Sequence, residues 1–259
     1  KESLPPVSPL DKIIVAFAGP LFSLMLAIVA GFLVWGMGKP QDSIKSNVVG
    51  GVIHESPAEG ILVPGDKILK VDGDPVDWYV GKVFDDIRTR IMLTKGDTIE
   101  FEIERDGKVM VVNTEFDIRE TGLFQRRALP DPGITAPGPA VIGSLAGGEG
   151  ESPAKKAKLE VGDQVLKVDG KEVFGTYHVS QLIRENQYKT STFTLKRGDK
   201  VMDIEVTPVK PKGDAYKDPM VGIAWDRRAG VVTEITYPNP WVQVRDSLRT
   251  MWMTIKVIS

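Results

Sequence analysis

The chain is 259 residues long, and its 33 basic and 35 acidic side chains leave a formal charge of −2 at pH 7. Without a basic stripe it is excluded as a nucleic-acid binder, and no Gly-x-x-x-x-Gly-Lys run supports nucleotide chemistry. Zero cysteines remove both disulfides and thiolate metal sites.

After a flank at residues 1–12, residues 13–38 run 26 positions without a charge. About 20 apolar residues cross a bilayer core, so this segment is predicted to span a membrane. A signal peptide offers an apolar run of only about 7–15 residues. A buried core helix rarely sustains such length without a polar face. Trp35 lies near one end as an interface anchor, and Asp11 and Lys12 mark the other. Gly19 and Pro20 interrupt the run at Ala18-Gly19-Pro20-Leu21. Such breaks are tolerated where neighbouring segments satisfy the freed backbone groups, so a packed helix is expected rather than a lone anchor.

The middle of the chain says one phrase twice. Leu62-Val63-Pro64-Gly65-Asp66-Lys67-Ile68-Leu69-Lys70-Val71-Asp72-Gly73 returns as Leu159-Glu160-Val161-Gly162-Asp163-Gln164-Val165-Leu166-Lys167-Val168-Asp169-Gly170. Ser56-Pro57-Ala58 and Ser152-Pro153-Ala154 precede the two copies. Arg105-Asp106-Gly107-Lys108 and Arg197-Gly198-Asp199-Lys200 follow them. The repeat is therefore domain-sized. In the first copy, residues 48–53 read as a strand, Ser-Pro-Ala as a helical turn, and residues 67–71 as a strand closed by the Asp72-Gly73 turn. Val80, Val83, Phe84, Ile87 and Ile91 fall at helical spacing, as Val179, Leu182 and Ile183 do in the second copy. Strands at 98–104 and 109–114, and again at 191–196 and 201–206, complete each unit. The expected class is α+β, with boundaries at 39–136 for the first unit and 137–228 for the second. A Pro/Gly-rich linker at 125–139 separates them, and a polar loop lies at 210–219. Residues 229–259 form a linker and the start of another membrane helix, with Val244, Leu248, Met251, Trp252, Ile255 and Ile258 on one apolar face.

This order of Ser-Pro-Ala, Gly-Asp and Val-Asp-Gly resembles the PDZ domain in its circularly permuted bacterial form. The resemblance implies binding of an extended peptide as an added strand between a sheet edge and the long helix. The Gly-Asp and Asp-Gly pairs are turn chemistry. Better ligand candidates are glycine-hydrophobic segments whose N–H groups can meet a terminal carboxylate. Pro132-Gly133-Ile134 and Met220-Val221-Gly222-Ile223 fit, with Val179, Leu182 and Ile183 lining the second pocket. A plain edge strand is the competing reading of both segments.

Combined with the Ala-Gly-Pro-Leu membrane helix, the tandem modules resemble the site-2 intramembrane zinc metalloproteases, in particular the regulator of sigma-E protease type. The resemblance implies a multi-pass protein of the bacterial inner membrane with its PDZ pair on the periplasmic or extracytoplasmic side. There the pair would filter or bind membrane-protein or peptide substrates, such as single-pass proteins already trimmed elsewhere. The family binds zinc through a His-Glu-x-x-His helix and a distant aspartate, whereas this chain has only His54 and His178, in neither case in that motif. Zinc is expected in the intact protein, with no catalytic residue and no metal ligand here. His54 is expected at an exposed strand end, and His178 opens a helix whose residues can face a ligand. The resemblance also carries Asn where this chain has Ser23. A membrane-anchored tandem-PDZ adaptor remains an alternative. An HtrA-like serine protease, which also carries PDZ repeats, fails because the remaining residues hold no protease domain.

Overall fold

The computed structural model describes residues 8–82, 85–94, 96–116, 130–147, 152–210 and 218–258. Two compact units divide the chain, residues 1–41 with 233–259, and residues 42–232.

The first unit contains α1 (Pro9–Met37), which continues through Pro20, and β1 (Lys39–Ser43), which ends just beyond it. Residues Asp11–Met37 are long and apolar enough to cross a membrane. Their large side chains, from Ile13 and Phe17 to Leu33, are exposed around the helix, as expected where the solvent is lipid.

Residues 42–232 hold two sheet-and-helix modules. In the first, β2 (Gly51–Val52) is followed by β3 (Lys67–Val71) and β4 (Asp74–Pro75). Then come α2 (Ile87–Leu93), β5 (Thr98–Arg105), β6 (Lys108–Glu115) and β7 (Ile134–Thr135). In the second, β8 (Ala140–Leu145), α3 (Pro153–Lys156), β9 (Gln164–Val168) and β10 (Lys171–Glu172) come first. They are followed by α4 (Thr176–Asn186), β11 (Ser191–Arg197), β12 (Lys200–Val206) and β13 (Ile223–Trp225). The chain then returns to the first unit through β14 (Val232–Thr236), which pairs with β1, and α5 (Pro240–Ile258).

The sheets are antiparallel, ordered β4-β3-β5-β6 with a separate β2-β7 pair in the first module, and β12-β11-β9-β8-β13 in the second, where β10 adds to β9. Each module has its own core. One gathers Leu62, Ile68, Ile87, Ile99, Phe101 and Ile103, and the other gathers Ile142, Val165, Val179, Phe193, Leu195 and Val206.

The repeated phrase becomes the same frame twice. Asp66 is buried and accepts from Arg105 Nε on Oδ1 and Nη2 on Oδ2, at 2.6 Å each, while Val63 N–H also donates to Oδ2 at 2.9 Å. Asp163 receives Arg197 at 2.7 Å through both nitrogens and Glu160 N–H at 2.9 Å. Burial raises the Asp163 carboxyl, but the Arg197 fork and the Glu160 N–H outweigh it and hold the group below the usual carboxylate range. The turns Asp72-Gly73 and Asp169-Gly170 have positive φ at both positions, 50° and 80°, then 49° and 78°. That is the geometry of a two-residue hairpin loop. Asp72 accepts from Glu100 N–H (3.0 Å) and Thr94 Oγ1 (2.6 Å). Asp169 accepts from Thr192 N–H (2.7 Å) and Asn186 Nδ2 (3.2 Å).

Several elements are shorter than the sequence suggests. The helix expected around Val80 to Ile91 begins only at Ile87, because Asp86 caps it by accepting from Thr89 N–H at 2.6 Å. Val80 instead forms an isolated bridge with Ile44, and Val83 and Phe84 lie outside the described residues. Ser56-Pro57-Ala58 is a turn, whereas the matching Ser152 caps the short α3. Only Gly51 and Val52 of the strand expected at 48–53 pair as a ladder. The C-terminal segment expected to begin a membrane helix is amphipathic, carrying Arg245, Asp246, Arg249 and Lys256. Among the described residues, α1 is the one helix that meets the length and apolarity of a span.

Candidate functional site: the grooves beside two glycine segments

The two glycine segments adopt one backbone shape. Gly133 has φ +85° and Gly222 φ +83°, a region that side-chain-bearing residues rarely adopt. Pro132 C=O accepts from Ala58 N–H and Val221 C=O from Ala154 N–H, each at 2.9 Å. Each segment is thereby tied to its Ser-Pro-Ala corner. Gly133 C=O accepts from Ile53 N–H at 2.7 Å and Gly222 C=O from Ala146 N–H at 2.9 Å. A Cβ at either glycine would collide with the corner serine, Ser56 or Ser152. A β-branched replacement of Gly222 therefore strains the fold itself and does not merely obstruct a ligand.

In the first module the segment and α2 bound an open cleft of about 440 Å³. Tyr79, Val80, Ile91, Met92, Ile134 and Ala136 line it, with Arg88 and Asp131 also on its wall. Asp131 Oδ1 already accepts from Gly133 N–H at 2.9 Å, so one donor expected to face a ligand is satisfied internally. Tyr79 donates its hydroxyl to Ile134 C=O at 3.0 Å, tying the segment ahead of α2 to β7. Burial pushes the Tyr79 phenol pKa well up, and it stays a neutral donor.

In the second module Ile223 pairs with Leu145 at the edge of the sheet, Val221 is buried and Met220 is exposed. Val179, Leu182 and Ile183 are all buried in the second core. Thr94 and Asn186 hold matching places on the two Asp turns. Counting back from them, Ile183 corresponds to Ile91, a cleft residue, and Val179 to Ile87, a core residue. Arg184 corresponds to Met92. Its guanidinium pairs with Asp218 at 3.0 Å, two residues before Met220. Burial opposes that charge, but Asp218 and the Tyr177 hydroxyl more than offset it and raise its pKa. Tyr79, Arg88, Met92, Asp131, Arg184 and Asp218 escaped the sequence reading. The exchange of Met92 for Arg184 between aligned repeats was the signal available for two of them.

Neither histidine faces a groove. His54 is half exposed, with Nδ1 2.8 Å from Glu59 Oε1. His178 is buried, stacked on Phe174 at 5.7 Å, and receives Phe174 N–H on Nδ1 at 3.4 Å. Burial lowers its pKa, favouring the neutral ring. The backbone at His178 lies against the first module. A Cβ at Gly51 would lie 3.0 Å from Tyr177 Cβ and 3.1 Å from His178 N, and Tyr177 OH accepts from His54 N–H at 3.0 Å. Among the described residues no three His, Cys, Asp or Glu side chains come together to hold a metal ion. The described residues therefore do not fit a zinc centre.

Residues 147–197 match the family described as PDZ domain. A solved PDZ domain of the SdrC-like protein of Listeria innocua covers 34% of this chain and 92% of its own, at 19% identity and a TM-score of 0.29. Over 99% of its length the chain is 26% identical to a "Putative zinc metalloprotease" of Treponema pallidum. It is 27% identical over 80% of its length to the regulator of sigma-E protease RseP of Escherichia coli. Against a protein of Chlamydia pneumoniae, also named as a zinc metalloprotease, the identity is 30% over 69% of this chain. The class is thus a PDZ-bearing chain attached to an apolar helix. In sequence the chain is similar to proteins named as zinc metalloproteases and as the regulator of sigma-E protease. It spans 55%, 45% and 27% of those three relatives.

Proposed function

We propose that this chain is the central region of a membrane-embedded zinc protease that performs regulated intramembrane proteolysis. In this reading both modules are circularly permuted PDZ domains in tandem. They stand on the periplasmic or extracytoplasmic side of a bacterial inner membrane and admit or bind trimmed single-pass substrates. The observation that carries it is the order of parts: a 27-residue apolar helix leads within a few residues into the module pair. A protein named as a zinc metalloprotease matches that whole order. The open first cleft supports a peptide-strand role, because β7 lies beside an apolar wall of the right kind for augmentation. Zinc, when bound, would supply a Lewis acid and an activated water, held by ligands other than the described residues. An adaptor without chemistry has no observation of its own in its favour.

The test is reconstitution of the intact protein in liposomes with a single-pass substrate, bearing or lacking a folded domain outside the membrane. Zinc-dependent cleavage of the trimmed form alone is the expected result. Equal cleavage of both forms would remove the filter, and no cleavage of either would remove the protease reading.

A further inference from the structure

The two grooves differ where the helix passes the glycine segment. At matching helix positions the first module has Met92, on the wall of its cleft, and the second has Arg184, paired with Asp218 two residues before Met220. Arg184 is about three-quarters buried, and its Nε is buried without a hydrogen-bond partner. A guanidinium offers a planar fork suited to two carboxylate oxygens. The one ion-pair partner shown for it is Asp218, whose side chain is 56% exposed and sits just before Met220. Glu59 of the first module adds negative charge nearby, and Arg184 lowers the pKa of Glu59 in turn, behind the larger influence of His54. The site thus holds a largely buried cation with an unused donor, bridged to an exposed and exchangeable internal carboxylate.

Resting on the reading of the second groove as a peptide site, the geometry points to Arg184 as its specificity-determining residue. Asp218 is the built-in competitor that a ligand carboxylate displaces. The ligand class is a peptide presenting a carboxylate beside the Gly222 segment, from its chain terminus or from an Asp or Glu side chain. Asp218 is the more exposed member of the pair, so a ligand carboxylate can reach the guanidinium by displacing it. The first groove, with Met92 in place of the cation, does not share this selectivity.

The experiment is isoleucine-methyl NMR of the whole chain in lipid nanodiscs. The Ile183 and Ile223 signals report the second groove, and Ile91 and Ile134 report the first. Three peptides with one apolar core are titrated: a free acid, its amide, and an amide with an internal aspartate. The expected result is that carboxylate-bearing peptides shift the second-groove signals at least tenfold more tightly than the plain amide. The free-acid and aspartyl arms identify which source of carboxylate is used. Arg184→Met, which installs the first module's residue, should abolish that preference, Arg184→Lys should retain part of it, and Asp218→Asn should tighten binding several-fold. Second-groove shifts equal for all three peptides, or unchanged in Arg184→Met, would overturn the Arg184 assignment while leaving a peptide groove. No shift at either groove would overturn the peptide reading and this assignment with it.

Discussion

In the first module Arg105 grips a buried Asp66, and in the second Arg197 grips a buried Asp163, with nearly superimposable partners. The helices that border the grooves do not match in this way. One is a seven-residue helix capped by Asp86 and presenting Met92; the other has eleven residues, starts at Gly175 without a side-chain cap, and presents Arg184. Residues that repeat along the chain build the frame, and residues that diverge decide what each groove meets. The first module has an open cleft with an apolar wall, while the second places the Arg184–Asp218 ion pair at the matching helix position.

That contrast can be broken most forcefully at the cores. Phe101 and Phe193 are fully buried at equivalent positions. Truncating either to alanine should cost about 3–5 kcal/mol. If the modules unfold as separate units, Phe101→Ala and Phe193→Ala will each move a different transition in urea denaturation. A single shared transition would mean that the contact around Gly51 and Tyr177 couples them.

Next in size are the frame carboxylates. Asp66→Asn and Asp163→Asn each leave an arginine fork half-satisfied, and should cost about 2–3 kcal/mol by equilibrium denaturation. Equal losses support one frame used twice. For Asp163 the sign also follows in pH. Its folded pKa is depressed, so its contribution is complete at neutral pH and disappears as pH falls through that lowered value. Acid titration of Asp163→Asn should therefore show a flatter loss of stability than the wild-type chain.

Smaller again is Tyr79→Phe, which strands a buried Ile134 carbonyl and should cost about 1–3 kcal/mol. Because that bond joins the wall of the first cleft to β7, peptide shifts at Ile91 and Ile134 should weaken while those at Ile223 persist. The smallest expected effect concerns His178. Its folded pKa is lowered, so its contribution is complete above the ordinary histidine value of about 6.5 and declines as pH drops below it. Thermal melts of His178→Asn between pH 7 and 5 should show less pH dependence than wild type.

Much of the frame was legible because it is written in turn chemistry and alternation. Gly65-Asp66, Asp72-Gly73 and the alternating β5 and β11 strands are local signals, and they recur at matching offsets. The long apolar helix α1 was legible for the same reason, since length and absence of charge are local properties. The groove residues were not. Asp131 and Asp218 gain meaning only through Gly133 N–H and Arg184, partners separated by a turn or by the width of the groove. Val80 has helical spacing, yet it bridges Ile44 because Asp86 supplies a better cap further on. His178 opens a helix as expected, but its surroundings come from Phe174 and from Gly51 of the other module.

Two of the three Asp-Gly turns, Asp72-Gly73 and Asp169-Gly170, bear on how this protein ages. An aspartate followed by glycine is the dipeptide most open to cyclisation, in which the glycine nitrogen attacks the side-chain carboxyl and leaves an isomerised backbone. Here both oxygens of Asp72 are engaged by Glu100 N–H and Thr94, and those of Asp169 by Thr192 N–H and Asn186. Each carboxyl is thus turned towards the next strand and the helix end, and cannot swing freely towards its own glycine. Isoaspartate at these two bonds should therefore accumulate at the rate at which each module opens, so that its level there records local unfolding.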